Sequence, residues 1–203
     1  MAYFPFYIDI KDKKFLVVGG GKVAFRKVEK LLPFEPEITV IAPFICDEIR
    51  KLGISIIERK FIDSDIDDIF CAISATDDEV VNGHIFKLCS EKNILVNTVD
   101  DKDKCGFIFP ALVSKNGITA GITSSGKSPI YAKYIRERLE NLLDGNADIT
   151  ETLFKYRKRI KSEIKNEADR KIVFERLLAL CLSRDEIDDN LVSKLIEEAN
   201  NEN

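Results

Sequence analysis

Four apolar residues, Phe15-Leu16-Val17-Val18, run without a break into Gly19-Gly20-Gly21-Lys22-Val23-Ala24, and a helical pattern continues from Val23 to Leu32. This order leaves few folds open. A strand with no polar face is buried on both sides, and parallel neighbours reached through helices provide that burial. The sequence next to it agrees. Further strands are expected at Glu37–Ala42, Ile54–Glu58, Phe70–Ala75 and Ile94–Val99, with helices around Cys46–Leu52 and over Glu79–Lys92. Right-handed crossovers between such strands predict a doubly wound parallel sheet of the Rossmann type.

The pattern changes after Asp100. Two extended runs, Phe107–Ser114 and Ile118–Thr123, are joined by Lys115-Asn116-Gly117, and Asn-Gly between apolar runs signals a hairpin because both residues tolerate positive φ. Ser128-Pro129 then opens a helix toward Leu143, with Ser128 as cap and Pro129 at the first helical position. All six prolines lie at or before Pro129, and of the ten glycines only Gly145 lies beyond Gly126. The last third therefore reads as helices. The expected class is α/β with three parts: a Rossmann domain over 1–106, a central α+β region over 107–145 that makes a dimer, and a helical domain over 146–203.

Composition excludes several functions. With 31 basic and 35 acidic residues the net charge is −4, so no chain-wide field attracts nucleic acid. No apolar run approaches the roughly 20 residues that cross a bilayer. The start, Met1-Ala2-Tyr3-Phe4-Pro5-Phe6, lacks the basic region and cleavage site of a secretory leader. Five scattered cysteines without a C-x-x-C pair argue against a disulfide framework or a zinc ribbon, and fit reduced thiols in the cytoplasm. One histidine, His84, rules out a His pair within a single chain, and no metal site is expected.

The G-x-G-x-x-A turn is expected to hold a dinucleotide. Gly19 permits the tight turn, Gly21, the second glycine of the motif, lets a pyrophosphate approach the backbone, and Ala24 as a small third residue lets helix and strand pack closely. Free N–H groups at the helix start then face the phosphates. The usual ribose-binding acid is missing, since Ile41-Ala42-Pro43-Phe44 ends the second strand without one. Chemistry alone leaves NAD or NADP open, although no Arg stands there for a 2′-phosphate. At the end of the fourth strand, Thr76 has capping-box spacing to Glu79 and also stands where a cofactor passes.

Taken together, Phe4-Pro5, Val17-Val18-Gly19-Gly20-Gly21-Lys22-Val23-Ala24, Val40-Ile41-Ala42-Pro43, Ala75-Thr76-Asp77-Asp78 with Val81-Asn82, Val96-Asn97-Thr98-Val99-Asp100, Phe107-Ile108-Phe109-Pro110-Ala111 and Thr123-Ser124-Ser125-Gly126-Lys127-Ser128-Pro129 resemble one family. It is precorrin-2 dehydrogenase, the dehydrogenase and ferrochelatase module of siroheme synthase. The resemblance covers roughly residues 4–143 and implies NAD-dependent oxidation of precorrin-2 to sirohydrochlorin by a homodimer. Some members of the family also insert iron. The family's aspartate falls on Asp100, as general base. Its cofactor contacts fall on Lys22, Val23, Pro43 and Phe44, and its substrate-cleft serine on Ser124. Lys127 is either a partner for a substrate carboxylate or a plain loop lysine.

The residues themselves agree with Asp100, which is expected at the sheet edge where cofactor and substrate meet. In the run Asp100-Asp101-Lys102-Asp103-Lys104 it also fits a solvated loop charge. The implied substrate is a polycarboxylate tetrapyrrole, so Lys127, Lys133, Arg136, Arg138 and the run Lys155–Lys165 are candidate cations, or else solvated helix faces. A module that senses NAD without catalysis, or another small NAD(P) oxidoreductase, stays open beside the enzyme.

Overall fold

The structure is a computed structural model, and it describes residues 3–144, 149–183 and 186–201. The expected boundary at Gly145–Asn146 lies outside these residues. The chain divides into two compact units between Phe109 and Pro110.

The first unit is built on strands β1 (Lys14–Val18), β2 (Glu37–Ile41), β3 (Ser55–Ile57), β4 (Cys71–Ser74) and β5 (Leu95–Thr98). They form a parallel sheet in the order β3-β2-β1-β4-β5, with β1 central as its apolar run requires. Side chains alternate along β1. Phe15 and Val17 enter the core beneath helix α1 (Lys22–Leu31), with Ala24, Val28, Ile38 and Val40. Leu16 and Val18 enter the opposite core with Ile85 and Cys89 of helix α3 (Glu79–Glu91). Helix α2 (Asp47–Arg50) is a single turn that buries Ile49. Crossing from β1 to β2 on one side and from β1 to β4 on the other puts a topological switch at the carboxyl end of β1, where ligands bind in open α/β sheets.

The free edge of β5 is covered by its own chain. After Val99 and Asp100 the backbone reverses, and Cys105 bridges Asn97 in antiparallel fashion while Gly106 N–H donates to Val96 O at 2.8 Å. This cover suppresses edge pairing. It also explains one departure from expectation. Phe107 and Phe109 are apolar because they pack on the α1 core, and the next strand, β6 (Ala111–Lys115), starts only after them.

The second unit holds the antiparallel pair β6 and β7 (Ile118–Ile122), with helices α4 (Pro129–Asp144), α5 (Ile149–Glu163), α6 (Glu167–Ser183) and α7 (Asp189–Asn201). The hairpin turns on Asn116 (φ 49°) and Gly117 (φ 72°), as the Asn-Gly pair predicts. Asn116 Nδ2 donates to Leu143 O at 2.7 Å and Thr150 Oγ1 donates to Asn116 O at 3.0 Å, which ties the turn to α4 and α5. Ser128 caps α4 as expected, its Oγ accepting from Tyr131 N–H at 3.3 Å. Helices α5, α6 and α7 share a core of Tyr156, Ile160, Val173, Leu177, Val192 and Ile196. No helix among the described residues is long and apolar enough to cross a membrane.

Candidate functional site

A cavity of about 740 Å³ opens at the carboxyl end of β1. Gly19, Gly20, Gly21, Lys22, Val23, Pro43, Phe44 and Thr76 all line it. Three segments converge there: the glycine turn, the exit of β2 and the exit of β4.

Each of the three glycines has its own task. At Gly19 (φ 122°) an added Cβ would lie 2.2 Å from Ala75 O, so this position serves the approach of the β4 exit. At Gly20 it would lie 2.0 Å from Phe44 O and 2.9 Å from Ile45 Cα. Gly20, between the two motif glycines, therefore makes room for the β2 exit, and its carbonyl accepts from Cys46 N–H at 2.8 Å. Only Gly21 faces open space, with nothing within 4 Å of a Cβ built on it. It is the N-cap of α1 and offers no side-chain cap, so the first N–H groups of α1 stay available. An anion seated beside Gly21 meets those N–H groups and the positive end of the helix. The cradle fits the phosphates of a dinucleotide on this observation.

The β4 exit is held from within. Asp78, not Thr76, caps α3, with Oδ1 accepting from Val80 N–H at 2.9 Å and Val81 N–H at 3.2 Å. The Thr76 hydroxyl instead donates to Asn82 Oδ1 at 2.7 Å and accepts from Asp78 N–H at 3.2 Å. At the far end of the cavity, His84 Nε2 and Asp63 Oδ1 meet at 2.7 Å beside Phe61, and Phe44 is 72% exposed. The lone histidine is thus a wall residue of this cavity. Spacing carried no sign of that, because its partner is 21 residues away.

Asp100 stands on the same edge of the sheet, outside the cavity lining. It lies two residues beyond the end of β5 at the chain reversal, exposed and in the left-handed region (φ 60°). The charged run around it is split by function. Asp101 caps the next turn and pairs with Lys104 at 2.8 Å, and its carboxyl is held low chiefly by that lysine. No hydrogen bond or ion pair occupies the Asp100 carboxylate among the described residues. Two buried oxygens without a hydrogen-bond partner, Asn97 Oδ1 and Thr98 Oγ1, lie at the same end of β5. Nearby, the Lys27 ammonium sits 4.0 Å above the Phe109 ring, and burial pushes its pKa down, with Lys30 adding to the effect and Cys105 and Asp100 opposing it.

Ser124 and Lys127 belong to the second unit. Their loop turns through Ser125 (φ 53°) and Gly126 (φ 80°), and Ser124 Oγ accepts from Ser128 N–H at 2.9 Å just before α4. The Lys127 side chain is exposed and has no carboxylate partner among the described residues. Other candidate cations are engaged locally. Arg136 pairs with Glu140 at 2.5 Å, Arg138 donates to Tyr134 Oη at 3.0 Å, and Arg159 pairs with Glu163 at 2.9 Å. No group of three or more metal-ligating side chains occurs among the described residues. The buried thiols are inert: desolvation raises Cys89 to about 11, and Cys71 still higher.

Comparison with known proteins agrees with this geometry. The model of a family described as "Putative NAD(P)-binding" matches residues 6–111. A siroheme synthase from Pseudoalteromonas translucida is 38% identical over 180 residues, covering 86% of this chain and 38% of that protein. One from Blochmanniella pennsylvanica is 38% identical over 182 residues, covering 87% of this chain and 38% of its own length. The chain thus spans less than two-fifths of the length of these relatives. Among solved structures, SirC, a precorrin-2 dehydrogenase, superposes with a TM-score of 0.71 at 23% identity over 98% of this chain and 100% of that one, a likeness of fold. The chain belongs to the family described as putative NAD(P)-binding, and over part of their length it is similar to siroheme synthases.

Proposed function

We propose that the protein oxidises precorrin-2 to sirohydrochlorin with NAD as acceptor. The observation that carries this reading is the pairing, on one sheet edge, of an open phosphate cradle at Gly21 with an exposed, unpartnered carboxylate at Asp100. The relatives and the fold neighbour supply the substrate class.

Bound nicotinamide supplies the hydride acceptor. The chain's own residues do the rest. The free N–H groups of α1 hold the pyrophosphate, while Lys22, Val23, Pro43, Phe44 and the Thr76 loop fix the position of the dinucleotide. The tetrapyrrole loses two hydrogens, one as hydride and one as a proton. Asp100 takes the proton, and its exposure lets it return that proton to water. Ser124 and Lys127 bind the substrate, with the Lys127 ammonium receiving a carboxylate.

The reading includes a homodimer, for which the two-stranded sheet β6–β7 offers edges that its own sheet leaves unpaired. It also includes a cytoplasmic setting, consistent with the free cysteines. The three-part division at 106/107 and 145/146 assigns a cofactor domain, a dimer region and a helical domain in turn.

The test is an anaerobic assay of the purified chain with precorrin-2 and NAD. Cofactor reduction and sirohydrochlorin formation are expected together, one for one. NAD binding without turnover would favour the sensing module instead. Ferrous iron added to the same cuvette afterwards reports on iron insertion.

A further inference from the structure

Asn82 is one of four buried polar side chains described, at 7% exposure, and it lies on α3 outside the cavity. Three hydrogen bonds hold its amide to one small group of partners. Oδ1 accepts from Ser74 Oγ at 2.6 Å and from Thr76 Oγ1 at 2.7 Å, and Nδ2 donates to Thr76 O at 2.9 Å. The carbonyl Thr76 O, which can only accept, fixes which end of the amide is the NH2 group. Asn82 therefore grips Thr76 by both its side chain and its backbone carbonyl.

Thr76 is joined to the residue that touches the glycine turn. Ala75 O stands where a Cβ on Gly19 would be, and Thr76 N lies 3.2 Å from the same point. Ala75 N–H also donates to Val18 O at 2.8 Å. The β4 exit is thus pressed against the turn on one side and pinned by Asn82 on the other. With its proton given to Asn82, the Thr76 hydroxyl has none left to donate to a ligand. Its part in the cavity is the placement of the backbone.

We infer that Asn82 is a positioning residue for the dinucleotide. It sets the Ala75–Thr76 segment against Gly19 and so holds the phosphate cradle in its binding shape. This rests on the reading that the cavity takes a dinucleotide, and it adds a residue that neither spacing nor lining identifies.

Calorimetric titration of the full chain with NAD tests it without any tetrapyrrole. Asn82→Ala is expected to raise Kd about tenfold, as loss of buried hydrogen bonds at a binding loop does. Thr76→Val, which removes only the hydroxyl bond, is expected to raise Kd less. Ser74→Ala removes the one Asn82 bond that does not involve Thr76. It is expected to lower the melting temperature and leave Kd within about twofold of wild type. A folded Asn82→Ala protein with wild-type Kd would overturn the inference, as would Ser74→Ala weakening binding as much as Asn82→Ala. If Asn82→Ala does not fold, Thr76→Val decides: unchanged Kd overturns the inference. Failure of the wild-type chain to bind NAD is a separate result, which removes the reading of the cavity and the role of Asn82 with it.

Discussion

The glycine turn and the Asp100 reversal sit on one edge of one sheet, yet they are built in opposite ways. The turn is over-determined. Two neighbouring exits occupy the space of absent Cβ atoms at Gly19 and Gly20, and Asn82 fixes the next segment through buried bonds. Asp100 has a left-handed backbone, an exposed side chain and no partner. The difference fits the two tasks proposed. Holding a large ligand needs a shape fixed in advance. Taking a proton and passing it to solvent needs a carboxylate that is not already committed.

The contrast is sharpest in alanine substitutions. Gly19→Ala puts a methyl group against Ala75 O and forces a positive φ on a side-chain-bearing residue, so a loss of roughly 3 kcal/mol is expected in chemical denaturation. Gly21→Ala meets no atom of the protein, so stability should hold while NAD affinity falls. Equal destabilisation by the two would break the account of the turn.

A smaller effect is expected behind the cavity. Arg59 forks onto Asp65 at 2.7 and 2.6 Å, and Asp65 also accepts from Ile62 N–H at 2.9 Å. These bonds, led by Arg59, hold the Asp65 carboxyl below its ordinary value. A depressed carboxyl contributes stability that is present above its unfolded pKa, about 3.9, and lost as pH falls through the folded value. Asp65→Asn should cost about 1–2 kcal/mol at pH 7 and flatten the loss of stability below about pH 4 in acid titrations. An unchanged acid profile would mean that Asp65 is not the group responsible.

The smallest effect concerns thiols. Cys71 and Cys89 should resist alkylation of the native protein at pH 8 while Cys46, Cys105 and Cys181, only half-buried, react first. Early labelling of Cys89 would show that the α3 core opens more easily than its packing implies.

What was legible in the sequence follows the same line. The five parallel strands and the hairpin were readable because each rests on a local pattern, an apolar run or an Asn-Gly pair, and the ends of the five parallel strands moved by only a residue. Phe107–Pro110 was misread as strand because an apolar residue that packs on a distant core looks like one that packs in a sheet. Threonine and aspartate both suit a helix N-cap, so Thr76 and Asp78 were both open to that role. Spacing favoured Thr76, whose hydroxyl was already engaged by Asn82. The roles of Asn82 and of the Asp63–His84 pair depend on contacts across elements, which no periodicity encodes. Asp100 was found through resemblance, since a free carboxylate in a charged run looks like any solvated one.

The most direct measurement compares Asp100→Ala with wild type in two readings on the same preparation, NAD affinity by calorimetry and anaerobic oxidation of precorrin-2. The account predicts an unchanged Kd for NAD with turnover reduced by about 10²–10⁴. Turnover at the wild-type rate in Asp100→Ala would contradict it.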